Sequence, residues 1–140
     1  MKFEILGKPV GKGRPRFTRN GHTYTPKETT EYENLVKLSY QQQCGGERID
    51  GAIQAYVTAI YPIPKSASKK KRAEMLGGTI KPTVKPDTDN IAKAVLDALN
   101  NIAYDDDSQV VMLTVRKRYG ETPRVIVELT EANYLEVVTA

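Results

Sequence analysis

The chain has 140 residues, a length typical of one domain, and its formal net charge is +4 with a pI of about 9.1. Hydrophobic residues make up 39% and charged residues 27%, a balance typical of globular proteins, and no run is apolar enough to span a bilayer. The single cysteine excludes an internal disulfide, and the single histidine beside it leaves too few ligands for a zinc site. Because the first residues are already charged, we expect no signal peptide and a single cytoplasmic domain over residues 1–140.

The positive charge is concentrated in three segments of the chain. These segments contain Lys2, Lys8, Lys12, Arg14, Arg16 and Arg19, then Lys65, Lys69, Lys70, Lys71 and Arg72, and finally Arg116, Lys117 and Arg118. The acidic residues concentrate elsewhere, notably at Asp87, Asp89, Asp97 and Asp105–Asp107. Separate basic and acidic zones are typical of a protein that grips a polyanion and places a metal ion against it.

The chain begins with a predicted strand, a loop and a helix. Residues 2–6 (KFEIL) predict the strand, and residues 7–24, with four glycines and two prolines, predict a basic loop. Residues 25–28 (TPKE) are typical of a capping box with proline in the first helical position. The helix that follows should run to about residue 43 and end at the glycine pair 45–46.

The middle of the chain predicts a central strand and two helices. Residues 52–61 are largely apolar with β-branched and aromatic members, which favours a strand. Ser66 is placed to cap a short basic helix that ends at glycines 77–78, and two prolines keep residues 79–88 extended. Residues 90–102 predict the clearest helix, whose apolar face contains Ile91, Val95, Ala98, Leu99 and Ile102.

The end of the chain predicts two more strands. Residues 109–119 and 123–130 should pair as a hairpin around Gly120 and Glu121, and residues 131–140 should form a short tail helix. The resulting order is β-α-β-α-α-β-β. This order indicates a small α+β domain with a mixed sheet flanked by helices.

Two aspartates before the clearest helix give the first chemical signal. Asp87 and Asp89 are two residues apart in an extended segment, so their side chains point to the same side. A hard cation such as Mg²⁺, which prefers oxygen ligands, would relieve their repulsion, and the N–H groups of the helix start near Asn90 favour negative charge. Lys93 lies one turn into the helix on its polar face, within reach of a phosphate or a metal-bound water.

A third carboxylate would have to come from residues 105–107, just before the next strand. The sequence does not decide whether this loop returns to the start of the helix. Each piece also has an ordinary interpretation, because a lone DxD is more often a turn or cap and Lys93–Asp97 could be a surface ion pair. An EF-hand fits worse, since Ala92 and Ala98 occupy the positions of its glycine and its glutamate.

Taken together, these pieces resemble the RusA family of Holliday junction resolvases. The resemblance covers roughly residues 85–111. It depends on Asp87-Thr88-Asp89-Asn90, Lys93, Asp97-Ala98-Leu99 and Asp106-Asp107-Ser108-Gln109-Val110, which come in the family's order with similar spacing. The basic segment Gly11-Lys12-Gly13-Arg14-Pro15-Arg16 is similar to the opening of the phage and prophage branch.

The resemblance implies a homodimer that cuts four-way DNA junctions by paired nicks in recombination and repair, with Mg²⁺ or Mn²⁺. It implies that Asp87, Asp89 and Asp107 are the metal-binding catalytic acids and that Lys93 is an accessory catalytic residue. Further accessory candidates are Asp106, Asn90 and Asp97. Asp105 departs from relatives that are apolar there, which leaves the register of the acidic triplet open.

The basic segments are the candidates for DNA binding, since phosphate contacts fix position without reading sequence. The candidates are Lys12, Arg14, Arg16, Lys69, Lys70, Lys71 and Arg72. The lysine run is equally typical of a solvated helix face. A structure-specific DNA-binding protein without catalysis is the alternative function, and a PD-(D/E)xK nuclease is disfavoured because Asp89 and Lys93 have the wrong spacing.

Overall fold

A computed structural model describes residues 1–14, 16–24, 26–135 and 137, with the side chains of Arg16 and Tyr24 outside that description. The elements in chain order are β1 (Lys2–Leu6), β2 (Arg16–Phe17), β3 (Thr23–Tyr24), α1 (Lys27–Cys44), β4 (Ile53–Pro62), α2 (Lys69–Leu76), α3 (Thr88–Ala98), a 3-10 turn (Asp107–Gln109), β5 (Val110–Gly120) and β6 (Arg124–Glu131). The predicted α+β class and element order are confirmed. The short β2–β3 ribbon inside the basic loop is an addition that the sequence did not predict.

The four long strands form one mixed sheet in the order β1-β6-β4-β5. β4 pairs parallel with β5 and antiparallel with β6, and β6 pairs antiparallel with β1. Alternate residues of β4 are buried, which places one face of the sheet in the core beneath α1 and α3. The fully buried Val57, Val95 and Tyr40 join these layers in one hydrophobic cluster.

The predicted hairpin between the last two strands is wrong. β5 and β6 do not pair with each other, because both pair with β4, which lies between them. The short connection at residues 121–123 therefore has to cross the end of β4. A Cβ on Gly120 would lie 2.5 Å from Ile60 Cγ2, so this crossing requires glycine at that position.

Two helix boundaries and one predicted helix also differ from the structure. Pro26 is the N-cap of α1 rather than its first helical residue, and Thr25 of the predicted capping box lies outside the described residues. Ser68, not Ser66, caps α2 by accepting the Lys71 N–H at 3.2 Å. The predicted tail helix is wrong for residues 131–135 and 137, which are strand end or irregular, and the remaining tail positions lie outside the described residues.

Candidate active site

The start of α3 holds the first predicted acid in a fixed backbone position. Asp87 is the N-cap, and its carbonyl accepts the Ile91 N–H at 3.0 Å. Its side chain forms no capping hydrogen bond within the described chain, so the carboxylate is not used by the helix start. Asp89 lies in the first turn of α3 and is exposed. Both carboxylates are therefore presented at the positive end of the helix dipole.

The segment that carries Asp87 is held against the ends of β4 and β5. The Tyr61 hydroxyl donates to the Pro86 carbonyl at 2.6 Å, and Lys117 Nζ donates to the Val84 carbonyl at 2.5 Å. The same ammonium lies 5.0 Å from the centre of the Tyr61 ring. Burial and the Asp87 carboxylate raise the pKa of the Tyr61 hydroxyl to about 12, so this hydroxyl stays a donor.

One face of α3 carries a line of polar residues from its start to its end. Asp89, Lys93, Asp97 and Asn100 recur every three or four positions, which places them on one side of the helix. The Asp97 carboxylate lies 3.7 Å from Lys93 Nζ. These four residues form the polar face of α3, and Asp107 reaches this face from the loop that follows the helix.

The loop after α3 returns to this polar face and delivers the third acid. The Asp107 backbone N–H donates to Asn100 Oδ1 at 2.8 Å, which places the Asp107 carboxyl near the Asp97 carboxyl. Burial and the neighbouring Asp97 raise the pKa of Asp107, and Lys93 opposes the increase. Two adjacent carboxyl groups therefore share the end of α3, where the helix dipole does not favour negative charge.

The other two acids of the triplet have structural partners. Asp106 caps the 3-10 turn by accepting the Ser108 N–H at 2.9 Å, and the hydroxyl of Ser108 together with this N–H lowers the pKa of the Asp106 carboxyl. Asp105 pairs with Arg48. Only Asp107 turns toward α3, and the D-x-x-Q capping box of Asp106 and Gln109 was the sequence signal that could have fixed the register.

The basic loop is tied to the same face through Lys12. Its ammonium lies 3.4 Å from the Asp97 carboxylate and also pairs with Glu33 of α1, while its backbone N–H donates to the Asn90 carbonyl at 3.0 Å. Burial opposes the charge of Lys12, but the two carboxylates outweigh it and raise the pKa. Only 21% of the side chain is exposed, so its charge is used inside the protein. Sequence reasoning missed Glu33, for which no local pattern exists.

The remaining DNA-binding candidates lie on the surface or outside the description. Arg14 is exposed beside Lys12, whereas the Arg16 side chain is not described. α2 has no buried residue, so Lys69, Lys70, Lys71 and Arg72 form an exposed basic helix, with Arg72 lying 3.5 Å from Glu121.

The acids form two groups rather than one preformed cluster. No three acidic, histidine or cysteine side chains among the described residues lie close enough to hold a metal as they stand. Asp87 and Asp97 are about 15 Å apart along the helix, from a rise of about 1.5 Å per residue. The donor chemistry nevertheless suits a hard divalent cation, because the candidate ligands Asp87, Asp89 and Asp107 are all carboxylates.

Comparison with known proteins gives two findings. A protein-family model described as Endodeoxyribonuclease RusA matches residues 7–130, nearly the whole chain. A Bacillus subtilis (strain 168) protein, described as the uncharacterized protein YqaN, is 43% identical over 138 residues, which is 95% of this chain and 97% of that protein. Among the helices of the described residues, none has the length and apolar character needed to cross a membrane.

Proposed function

Because the chain belongs to the RusA family of endodeoxyribonucleases, we propose that it is a magnesium-dependent Holliday junction resolvase acting in DNA recombination and repair. The family acts on branched DNA and generally depends on a divalent metal. The observation that carries the proposal is the return of Asp107 to the polar face of α3, beside Lys93 and Asp97. This face combines carboxylates that suit a cation with the exposed ammonium of Lys93, which suits a phosphate.

Asp87, Asp89 and Asp107 are the proposed metal ligands, with Mn²⁺ as a second suitable ion. A bound divalent ion would polarise the scissile phosphate and acidify the attacking water. The side chain of Asp87 is not consumed by helix capping within the described chain, which supports its assignment. The neighbouring Asp97 carboxyl raises the pKa of Asp107, and a bound cation would relieve this repulsion, which supports the assignment of Asp107.

The chain's own residues supply the rest of the chemistry. Lys93 lies on the polar face and is 61% exposed, so its ammonium is available to offset charge that develops on the phosphate. The single histidine, His22, lies between β2 and β3 and outside α3, so the base would be a metal-bound hydroxide or one of the acids. Asn90 and Asp97 act as accessory residues that anchor Lys12 and orient Asp107.

Exposed basic residues of the N-terminal loop and of α2 are the proposed contacts to a four-way junction. Arg14 and the exposed residues of α2 would contact phosphates, with Arg16 as a further candidate in the same loop. A homodimer would present two equivalent sites related by a twofold axis. Such a pair of sites explains paired nicks across a four-armed substrate.

A synthetic four-way junction tests this function directly. The wild-type protein should cut it in Mg²⁺, stop in chelator, and prefer it over a flap or a linear duplex. Asp87→Asn should bind the junction without cutting it. Asp105→Asn is the matched control, because Asp105 pairs with Arg48 outside the site, and this variant should cut normally. Binding without cleavage by the wild-type protein would instead favour a non-catalytic junction-binding protein.

A further inference from the structure

One of the three cations in the last basic segment of the sequence lies on a different side of its strand from the other two. In β5, Arg116 and Arg118 are exposed, whereas Lys117 is half-buried. Because side chains alternate along a strand, Lys117 shares the core-facing side of β5 with Val115 and Tyr119. A lysine in this row costs free energy unless its ammonium has partners, so its contacts indicate what it does.

Both partners of the Lys117 ammonium belong to the surroundings of Asp87. Its Nζ donates to the Val84 carbonyl at 2.5 Å and lies 5.0 Å from the centre of the Tyr61 ring. The ring attracts the cation, and the carbonyl accepts one of its three hydrogens. No carboxylate within the described part of the chain forms an ion pair with this ammonium. The ammonium therefore holds the backbone three residues before Asp87.

Tyr61 provides a second hold on the same segment. Its hydroxyl donates to the Pro86 carbonyl at 2.6 Å, and its side chain is 4% exposed. Proline has no N–H, so its carbonyl is the only backbone group by which residue 86 can be hydrogen-bonded. Pro86 also meets the basic loop, where a Cβ on Gly11 would lie 2.8 Å from Pro86 Cβ. Contacts from β4, β5 and the loop therefore fix the backbone that leads into Asp87.

We propose that Lys117 and Tyr61 are positioning residues for the carboxylate of Asp87, and that Lys117 makes no contact with DNA. This inference rests on the proposed function, in which Asp87 is a metal ligand. The two residues act through the carbonyls of residues 84 and 86, which are two positions apart. Two attachment points fix the orientation of the segment as well as its position.

The need for such support follows from the exposure of Asp87. Its side chain is exposed and makes no capping hydrogen bond within the described residues. The backbone therefore sets the position of this carboxylate more than contacts of its own do. Removing a side chain that orients a metal ligand typically lowers metal affinity or activity about 10- to 100-fold. A displacement of about 1 Å in a reacting group can lower the rate about 100-fold.

Calorimetric titration of Mn²⁺ into metal-free protein tests this role without DNA. Tyr61→Phe and Lys117→Met should each weaken Mn²⁺ binding about tenfold, because each removes one attachment of the segment before Asp87. Lys117→Arg keeps a donor and a cation over the Tyr61 ring, so it should recover most of the affinity. The double variant Tyr61→Phe, Lys117→Met should lose less than the product of the two single losses, because both residues hold the same segment.

Two matched controls lose the same kinds of hydrogen bond outside residues 84–86. Tyr40→Phe removes a buried hydroxyl that donates to the Glu47 carbonyl. Lys81→Met removes an ammonium that donates to the Gly78 carbonyl at 2.6 Å. Both controls should bind Mn²⁺ as tightly as wild type. Losses in the controls as large as those of the test variants would show a general effect of lost hydrogen bonds and would overturn the proposal.

Junction binding in chelator gives the second readout. Lys117→Met should leave the salt dependence of junction affinity unchanged, because its ammonium does not contact a phosphate. A salt dependence reduced by about one contact would place Lys117 on the DNA and overturn the proposal, as would Mn²⁺ affinities of Tyr61→Phe and Lys117→Met equal to wild type. Junction cleavage by wild type would then leave the proposed nuclease function intact. A wild-type protein that neither binds Mn²⁺ nor cuts would reject that function and this role together.

Discussion

The two ends of α3 hold negative charge under opposite conditions. At the start of the helix, Asp87 and Asp89 lie where backbone N–H groups and the helix dipole favour carboxylates. At the far end, Asp97 and Asp107 lie together where the dipole opposes them, and Lys12 and Lys93 compensate. The first pair of acids is therefore stabilised by the start of the helix, whereas the second pair depends on two lysine side chains.

Removing the charge of Asp107 should give the largest contrast. Asp107→Asn should lower junction cleavage at least about 100-fold, because a proposed metal ligand is lost. The same change removes repulsion from Asp97, so the free energy of unfolding in chelator should rise. Single-turnover cleavage and denaturant titration measure the two effects. An Asp107→Asn variant that is inactive and also less stable would contradict the claim that Asp97 and Asp107 repel each other.

Asp87→Asn should reduce junction cleavage about as much as Asp107→Asn does, but it should not raise the free energy of unfolding. Asparagine is as good an N-cap as aspartate, and the Asp87 side chain makes no capping hydrogen bond within the described residues. The free energy of unfolding should therefore stay within about 0.5 kcal/mol of wild type. Stabilisation equal to that of Asp107→Asn would show that the two ends do not differ.

Lys12→Met should affect the far end of α3 more than DNA binding. It leaves Glu33 and Asp97 without their shared ammonium, so unfolding should become easier by about 1–3 kcal/mol. Turnover of bound junction should fall about tenfold, as for other residues that support a site indirectly. Lys12→Arg should restore much of the free energy of unfolding and much of the turnover. An unchanged turnover would remove Lys12 from the support of Asp97.

Arg14→Ala is the counterpart of that change in the same loop. Arg14 is exposed, so its loss should weaken junction binding and reduce the salt dependence of affinity by about one phosphate contact. Turnover at saturating protein should be unchanged. Filter binding at several salt concentrations distinguishes Arg14→Ala from Lys12→Met. If the affinity of Arg14→Ala falls with salt as steeply as that of wild type, Arg14 does not contact DNA phosphate.

The smallest expected effect is a pH dependence in chelator. The folded state raises the pKa of Asp107, so it binds this proton more tightly than the unfolded state. The resulting penalty is greatest at pH 7 and disappears as pH falls through the raised pKa toward the unfolded value. The melting temperature of Asp107→Asn should therefore exceed that of wild type most at pH 7. A constant difference down to pH 4 would contradict this origin.

Local patterns predicted the elements, whereas long-range contacts decided how they assemble. The apolar spacing around Ile91 and Val95 identified α3, and both residues are fully buried. Their closeness in the chain predicted a hairpin of β5 and β6, but β6 pairs with β1 and β4, and β4 lies between β5 and β6. No periodicity reports such competition between strands.

The candidate site divides in the same way. Asp87, Asp89 and Lys93 are close in sequence, so helix geometry alone related them. The position of Asp107 depends on a hydrogen bond to the Asn100 side chain, seven residues away, which the sequence pattern does not indicate. The ion pair of Lys12 joins residues 21 and more positions apart and has no local signature.

Calorimetric titration of Mn²⁺ into metal-free protein tests most directly whether the acids at the two ends of α3 share one ion. Asp87→Asn, Asp107→Asn and the double variant should all lose binding to nearly the same extent, because each removes a ligand of the same ion. An Asp87→Asn variant that binds Mn²⁺ as tightly as wild type, while Asp107→Asn does not, would show that the two ends act separately.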